Sequence, residues 1–332
     1  MKNKVVIFTL VLLVLSLPAV YAGNANRTGT AGAPELLIPI GSRGTAMGGA
    51  VLTSVSGVEA VYWNPAGLAT LEGTEAMFTH IPYFASIDVN FGGVATTIES
   101  FGTIAAAAKV VSVGDIEQTT ISEPDGNGNI FNPTLSVLSL SYARILTANV
   151  QFGFNANFIN EKVINVQATG VAFDVGFIYD PRWQGFKIGL SIKNYGPKMK
   201  FSGRDFERIY ESVGQRRVSS NSQSFELPSY ISMGISYDLI NEGPNYAMLS
   251  GNLRSNNFSE DMWTGGAEYV YDGKYSLRAG YNYSNEDAYL YGVSFGAGVI
   301  VPLGESKVSL EYTWTQTDVF DDNQFFTLKF DF

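Results

Sequence analysis

The chain has 332 residues, no cysteine, one histidine and a net charge of −10. The lack of cysteine excludes a disulfide framework, a thiolate nucleophile and a Cys-ligated metal, and the acidic balance excludes nucleic acid as a natural partner. Its 35 Gly, 22 Phe and 18 Tyr suit a β-rich protein, but they do not by themselves separate a soluble sandwich from a membrane barrel.

In chain order, Lys2 and Lys4 precede an apolar run from Val5 to Leu17, and "PAVYA" ends on Ala22 with Val20 two residues before it. This pattern predicts a signal peptide over 1–22, cut before Gly23. No later stretch has the ~18 consecutive apolar residues of a spanning helix. Residues 23–72 do not alternate and carry "GSRGTAMGGAVLTSVSGVEAVYWNPAGLA". The small residues Gly44, Ala46, Gly48, Gly49 and Ala50 permit close backbone packing. "SGVEAVYW" predicts a short helix capped near Ser56. In the next turn Asn64 serves as N-cap and Pro65 as the first helical residue, with Gly67 just beyond.

From residue 73 onward the signal is period-2 alternation. In "VQFGFNANF" Val150, Phe152, Phe154, Ala156 and Phe158 oppose Gln151, Gly153, Asn155 and Asn157. In "KYSLRAGYNYS" Tyr275, Leu277, Ala279, Tyr281 and Tyr283 oppose Ser276, Arg278, Gly280, Asn282 and Ser284. The same reading gives fourteen strands, at about 73–80, 85–98, 101–112, 134–146, 149–160, 168–180, 185–194, 229–240, 245–254, 262–271, 274–284, 288–301, 306–316 and 324–332. Most reach the ~9–11 residues that a tilted strand needs to cross a bilayer.

The connections alternate in kind. Tight turns such as "LTA" (146–148), "DPRWQG" (180–185) and "YDGK" (271–274) form one set. The other set contains both long loops, 113–133 and 195–228. Loops sorted by parity, with short periplasmic turns and long outer loops, mark an outer-membrane barrel, whereas a Greek-key sandwich has no reason to sort them. The last strand places Phe326, Leu328, Phe330 and Phe332 on one face and stops on an aromatic residue, which makes Phe330 and Phe332 the candidate assembly signal.

The predicted fold is therefore all-β: a 14-stranded antiparallel transmembrane β-barrel over 73–332 with an N-terminal lumenal hatch of short helices and turns over 23–72. Hydrocarbon demands that every backbone group be paired, so the sheet must close. The Phe/Tyr/Leu faces then meet lipid and the Ser/Asn/Gly/Glu faces line the lumen, with Tyr269, Tyr271, Tyr281, Tyr283 and Trp314 as candidate interfacial girdle residues. Fourteen strands enclose more space than their own side chains fill. The expected plug residues are Met47, Gly48, Gly49, Tyr62, Trp63, Asn64, Pro65 and Gly67, with Tyr62 and Trp63 wedged against the wall.

"GSRGTAMGGA" followed by "SGVEAVYWNPAGLA" resembles the N-terminal hatch of FadL-type outer-membrane proteins, and more narrowly the PorV/PorQ family. "SIKNYGPKMKF" (191–201), "LPSYISMGISYDL" (227–239) and "GGAEYVYDGKYSLRAGY" (265–281) extend the resemblance over nearly the whole chain after residue 22. The resemblance implies a non-enzymatic outer-membrane protein of the type IX secretion system. Such a protein receives exported proteins bearing C-terminal sorting domains and escorts them to the cell surface, with secretion components and outer-membrane lipid as partners. The alternative is a FadL-like transporter of hydrophobic small molecules, for which the pair Gly92-Gly93 would mark a kink and a lateral opening. A structural barrel without cargo is the third possibility.

Other motifs have bland readings. "PDGNGNIF" offers Asp125, Asn127 and Asn129, but the position of the bidentate acid is Ser136, so a hairpin tip is the better reading than a calcium loop. "GSRGTAMGG" is followed by no Lys-Ser/Thr and follows no βαβ strand, so it is not a phosphate loop. His80, the one histidine, sits at the end of the first strand as a rim residue. No catalytic set, metal or cofactor is called for. In the loop 195–228, Lys198, Lys200, Arg204, Arg208, Arg216 and Arg217 outnumber four acidic residues, which makes this loop the candidate outer docking surface of an otherwise acidic chain.

Overall fold

The computed structural model describes residues 27–210, 216–219, 222–285, 291–318 and 320–332, so the expected signal peptide lies outside the described residues. The strands are β1 (Thr74–Pro82), β2 (Asp88–Ile98), β3 (Gly102–Ser112), β4 (Thr134–Thr147), β5 (Val150–Val163), β6 (Val166–Trp183) and β7 (Phe186–Tyr195). They continue as β8 (Tyr230–Glu242), β9 (Asn245–Asn256), β10 (Met262–Tyr271), β11 (Tyr275–Ser284), β12 (Tyr291–Leu303), β13 (Ser306–Thr317) and β14 (Asn323–Asp331). Each pairs antiparallel with its sequence neighbours, and β14 pairs with β1 from Glu75↔Asp331 to His80↔Phe326. The sheet is a closed barrel of fourteen strands without a free edge, the form that lets strands lie in hydrocarbon. No helix among the described residues is long and apolar enough to cross a membrane.

The alternation in the sequence becomes the two faces of the wall. Tyr275, Leu277, Tyr281 and Tyr283 are exposed on β11, while Ser276 and Arg278 are buried. On β5 Phe158 is exposed and Asn155 and Asn157 are buried. On β14 Phe326 and Phe330 face out, and Phe325, Thr327 and Lys329 face in. Tyr269, Tyr271, Tyr281 and Tyr283 all stand outside, and Trp314 stacks on Phe295 with ring centroids 6.2 Å apart. Phe330 and Phe332 stack outside beside the seam, where Phe332 N–H donates to Thr74 O at 2.8 Å. His80 also faces out, with Nδ1 2.9 Å from Asn90 Oδ1.

Strand ends fall within three residues of the periodicity reading, and two differences have clear causes. The turn expected over 180–185 shrinks to Gln184-Gly185, because β6 continues to Trp183 and both turn residues take positive φ (50° and 75°), the geometry of a two-residue hairpin. The kink expected at Gly92-Gly93 is absent. β2 runs through both glycines in unbroken register with β1 and β3. Gly93 instead faces inward where a Cβ would overlap Val58 and Ala107, so the glycine there permits close approach. Register slips occur elsewhere, at Ile145/Thr147, Phe173/Val175, Tyr179/Trp183, Asp238/Ile240 and Tyr291/Ser294.

Because neighbouring strands run antiparallel, the two long connections, after β3 and after β7, leave the same end of the barrel. The first carries a small hairpin, Ile116–Glu117 with Ile130–Phe131, and the second carries Glu207–Tyr210 with Arg216–Ser219.

Candidate functional site

Residues 27–72 pack against the inner faces of the strands as short helical turns, Pro34–Leu36, Ser42–Ala46, Gly57–Glu59, Ala60–Trp63 and Pro65–Thr70. Three cross-strand glycine pairs flatten the wall where this segment touches it. Gly153↔Gly176 of β5 and β6 receives Asn64-Pro65, Gly189↔Gly234 of β7 and β8 receives Leu52-Thr53, and Gly266↔Gly280 of β10 and β11 receives Met47-Gly48. A Cβ at Gly153 or Gly176 would overlap Pro65 or Asn64, so only glycine allows the two backbones to come this close. Gly48 and Gly49 themselves take φ of 63° and 82°, and a Cβ at Gly67 would overlap the Val55 carbonyl.

Asn64 caps the turn that follows it, accepting the Ala66 N–H at Oδ1 (3.2 Å), with Pro65 in the first helical position. Its amide donates to Leu52 O at 2.7 Å. Ser56 makes no side-chain cap, because the Val58 N–H is taken by the Glu75 carboxylate of β1 at 2.6 Å. Tyr62 and Trp63 part company, their rings edge to face at 4.9 Å. Tyr62 meets the wall, with Lys109 Nζ 4.8 Å and Lys193 Nζ 5.7 Å from its ring centroid, and its hydroxyl donates to Leu37 O at 2.9 Å. Trp63 is gripped by the segment itself. Its indole lies within the segment between Gly44 and Gly49, and Nε1–H donates to Ile40 O at 3.0 Å. We expect Tyr62→Phe, which keeps the ring and loses this hydroxyl bond, to destabilise the barrel by about 1 kcal/mol in urea titrations of vesicle-inserted protein.

Toward the short-turn end, a buried ion network ties the segment to four strands. Arg43 reaches Glu268 of β10 (2.6 Å), and Glu268 also holds Arg278 of β11 (2.7 Å). Arg278 lies 3.1 Å from Glu311 of β13. Lys329 of β14 joins Glu311 (3.2 Å) to Glu59 (2.8 Å), whose other oxygen accepts the Gly44 N–H at 2.7 Å. Three cations thus meet three carboxylates. Burial works against the Arg43 charge, and the Glu268 carboxylate overrides it and holds the guanidinium above its ordinary value. Arg278 and Glu311 are legible in sequence as inward positions of alternating strands, but the pairs that tie the segment to the wall, Arg43–Glu268 and Glu59–Lys329, join residues 225 and 270 positions apart and are not.

At the long-loop end, "KNYGPKMKF" leaves the wall. Asn194 has φ 57°, and the register slips from Phe173↔Tyr195 to Val175↔Ile192, so Lys193 and Asn194 both turn inward onto Asp174. Lys193 Nζ and Asn194 N–H bond the Asp174 carboxylate at 2.7 Å each. Beyond this bulge the loop folds back over the mouth. Met199 pairs with Phe225, and Gly32 N–H donates to Glu226 O at 3.0 Å. Arg27 and Lys198 both pair with the Glu226 carboxylate and hold it below the usual carboxylate range. Ala33, Leu36, Val137, Ile159, Met199 and Leu227 form one apolar cluster beneath.

Of the candidate docking residues, Lys198 is thus engaged, Lys200 is exposed, and Arg204 reaches Asn165 Oδ1 at 3.4 Å. Arg208 stands opposite Val218 and Arg217 opposite Ile209 on the small hairpin, with Arg216 opposite Tyr210. A cavity of about 90 Å³ remains between the segment and β8–β13, lined by Leu37, Leu52, Trp63, Asn252, Thr264 and Ser294 among others.

The family model described as "Type IX secretion system protein PorV" matches residues 21–255. No curated protein sequence matches the chain. Among solved structures, the CymD monoaromatic hydrocarbon channel shares 12% identity at a TM-score of 0.57, covering 89% of this chain and 97% of its own. The Ralstonia pickettii toluene transporter TbuX shares 13% identity at 0.55, covering 88% and 98%. A Pseudomonas aeruginosa FadL homologue shares 13% at 0.53, covering 88% and 97%. At these identities the likeness is one of fold: a FadL-like barrel.

Proposed function

The chain belongs to the PorV family of type IX secretion system proteins, and on that premise we propose that it is a non-enzymatic outer-membrane barrel that binds exported proteins and escorts them at the cell surface. In this reading residues 23–72 are a hatch, closing the lumen through Met47, Tyr62, Trp63, Asn64 and Pro65 and their neighbours. The work of binding falls to the long-loop end, where the sequence concentrates positive charge at Lys200, Arg204, Arg208, Arg216 and Arg217. Phe330 and Phe332 act as the assembly signal, and residues 1–22 are a cleaved signal peptide.

The observation that supports this reading, beyond family membership, is how closely the segment packs into the lumen beside Trp63. The cavity beside Trp63 is about 90 Å³, against roughly 300–1,000 Å³ for sites that hold small organic ligands, and β2 is unbroken at Gly92-Gly93. A second reading, transport of a hydrophobic small molecule, draws on the apolar part of the same cavity at Leu37, Leu52 and Trp63. Crosslinking in intact outer membranes followed by pull-down separates the two. We expect secretion components or proteins with C-terminal sorting domains to be recovered. Recovery of neither, together with uptake of a hydrophobic compound that depends on the protein, would sink the escort reading.

A further inference from the structure

We propose that the recess between the N-terminal segment and β8–β13 is a binding site for a small anion, a halide or a small carboxylate, held by Arg254. The proposal does not depend on what the barrel carries.

The two sides of the lumen differ in kind toward the long-loop end. On the side of β1–β7 the segment meets an apolar wall, with Leu36 among Val137, Ile159 and Met199, and Ile38 against Ile81 and Val111. On the side of β8–β13 the strands turn polar groups inward. Asn252 of β9 stands opposite Thr264 of β10, and Ser294 of β12 stands opposite Thr315 of β13. These four border the recess together with Trp63 of the segment.

Their hydrogen bonding is incomplete. Asn252 donates its amide to Gly49 O at 2.7 Å, but its Oδ1 receives no donor from the protein. Thr264, Ser294 and Thr315 are 8%, 1% and 2% exposed, and their hydroxyls have no partner in the protein. A buried hydroxyl left unpaired is costly, so these groups call for a polar occupant and work against a hydrocarbon. A volume of about 90 Å³ corresponds to about three water molecules at roughly 30 Å³ each. That suits a halide or a small carboxylate with water beside it.

A single charge selects among polar occupants. Arg254 is the one charged side chain among the described residues that border the recess, and Asp261, next to Met262 at the head of β10, does not border it. Arg43, Arg278, Lys193 and Lys329 each hold a carboxylate, whereas Arg254 donates from Nε to the neutral amide Oδ1 of Asn256 at 2.8 Å. Its Cζ lies 3.9 Å from the centroid of the Tyr230 ring. These two contacts fix the guanidinium plane and leave its terminal N–H groups for an anion, which a planar fork of donors suits. The three hydroxyls can turn to donate to the same anion, and Asn252 Oδ1 can accept from a water beside it.

Trp63 reports on the site directly. Trp183 and Trp263 are exposed on the outer face, and Trp314 stacks there on Phe295. Replacing these three by Phe leaves Trp63 as the sole indole of the full barrel in lipid nanodiscs. Its fluorescence is quenched by iodide, caesium and acrylamide at constant ionic strength, each scaled to free N-acetyltryptophanamide. We expect iodide to exceed caesium by at least ~3-fold. Acetate or chloride should suppress iodide quenching and leave acrylamide quenching unchanged, and the one that competes at the lower concentration identifies the preferred class. Arg254→Gln should lower iodide quenching at least ~3-fold with acrylamide unaffected. Should that variant not assemble, Thr315→Val serves instead. It keeps the side-chain shape, removes one unpartnered hydroxyl and should lower iodide quenching about 2-fold. Iodide no better than caesium, no suppression by either anion, or iodide quenching that the substitution leaves unchanged overturns the anion site.

Discussion

Glu268→Ala is expected to destabilise the barrel by about 3–5 kcal/mol, the cost of leaving buried charges without their partner. Glu268 carries two cations at once, Arg43 from the N-terminal segment at 2.6 Å and Arg278 from β11 at 2.7 Å. Its loss leaves Arg278 with Glu311 and leaves the Arg43 guanidinium its bond to Ser54 O. Because Arg43 links the segment to the wall, the same change should loosen the segment as well as the barrel. The measurement is the urea midpoint of the folded gel band in vesicles, read beside single-channel leak in planar bilayers. Glu305→Ala, in the exposed turn between β12 and β13, is the matched control and should stay within about 0.5 kcal/mol. Equal midpoints for the two variants would show that the network does not hold the segment.

The second large effect is at the glycine windows. Gly176→Val places a side chain where Asn64 Oδ1 and Pro65 Cδ already sit. Those atoms belong to a capped turn fixed by bonds to Leu52 O and Ala66 N, so they cannot move aside one at a time. Overpacking that forces backbone to shift costs about 1–3 kcal/mol, occasionally more, and two anchored groups put this site at the upper end. We expect the segment to unseat and an open pore to appear in conductance records, since fourteen strands enclose more than their own side chains fill. Gly265→Val is the contrast. Gly265 lies on β10 facing out, with nothing where its Cβ would stand, and the change should be silent in conductance. A closed, fully stable Gly176→Val barrel would mean that the close approach is not what seats Asn64-Pro65.

Much of the architecture is a local property of the sequence. Alternation fixes which face of each strand is apolar, because successive side chains on a strand point to opposite sides. Fourteen such runs, joined by connections that are short at one end and long at the other, leave closure as the one arrangement that pairs every backbone group in hydrocarbon. The Asn64-Pro65 cap is local in the same way, since both halves of the bond lie within three residues. Residues 43 and 268, or 59 and 329, carry no such mark. Which inward positions meet depends on how strands stagger as the sheet closes and on how a folded segment of irregular turns sits within it. Periodicity is blind to both.

Tertiary packing alone therefore decided that Trp63 turns between Gly44 and Gly49 while Tyr62 faces two lysines, and that Gly93 marks a close approach and not a kink. It also decided that Glu35, unremarked in the sequence, is fully buried beside Glu161. The sequence by itself determined the barrel, its two faces and its long-loop end, because those follow from a two-residue period and chain connectivity. The charges and glycines that seat the N-terminal segment against the wall became visible only in three dimensions, because their partners lie on strands brought opposite them by closure of the sheet.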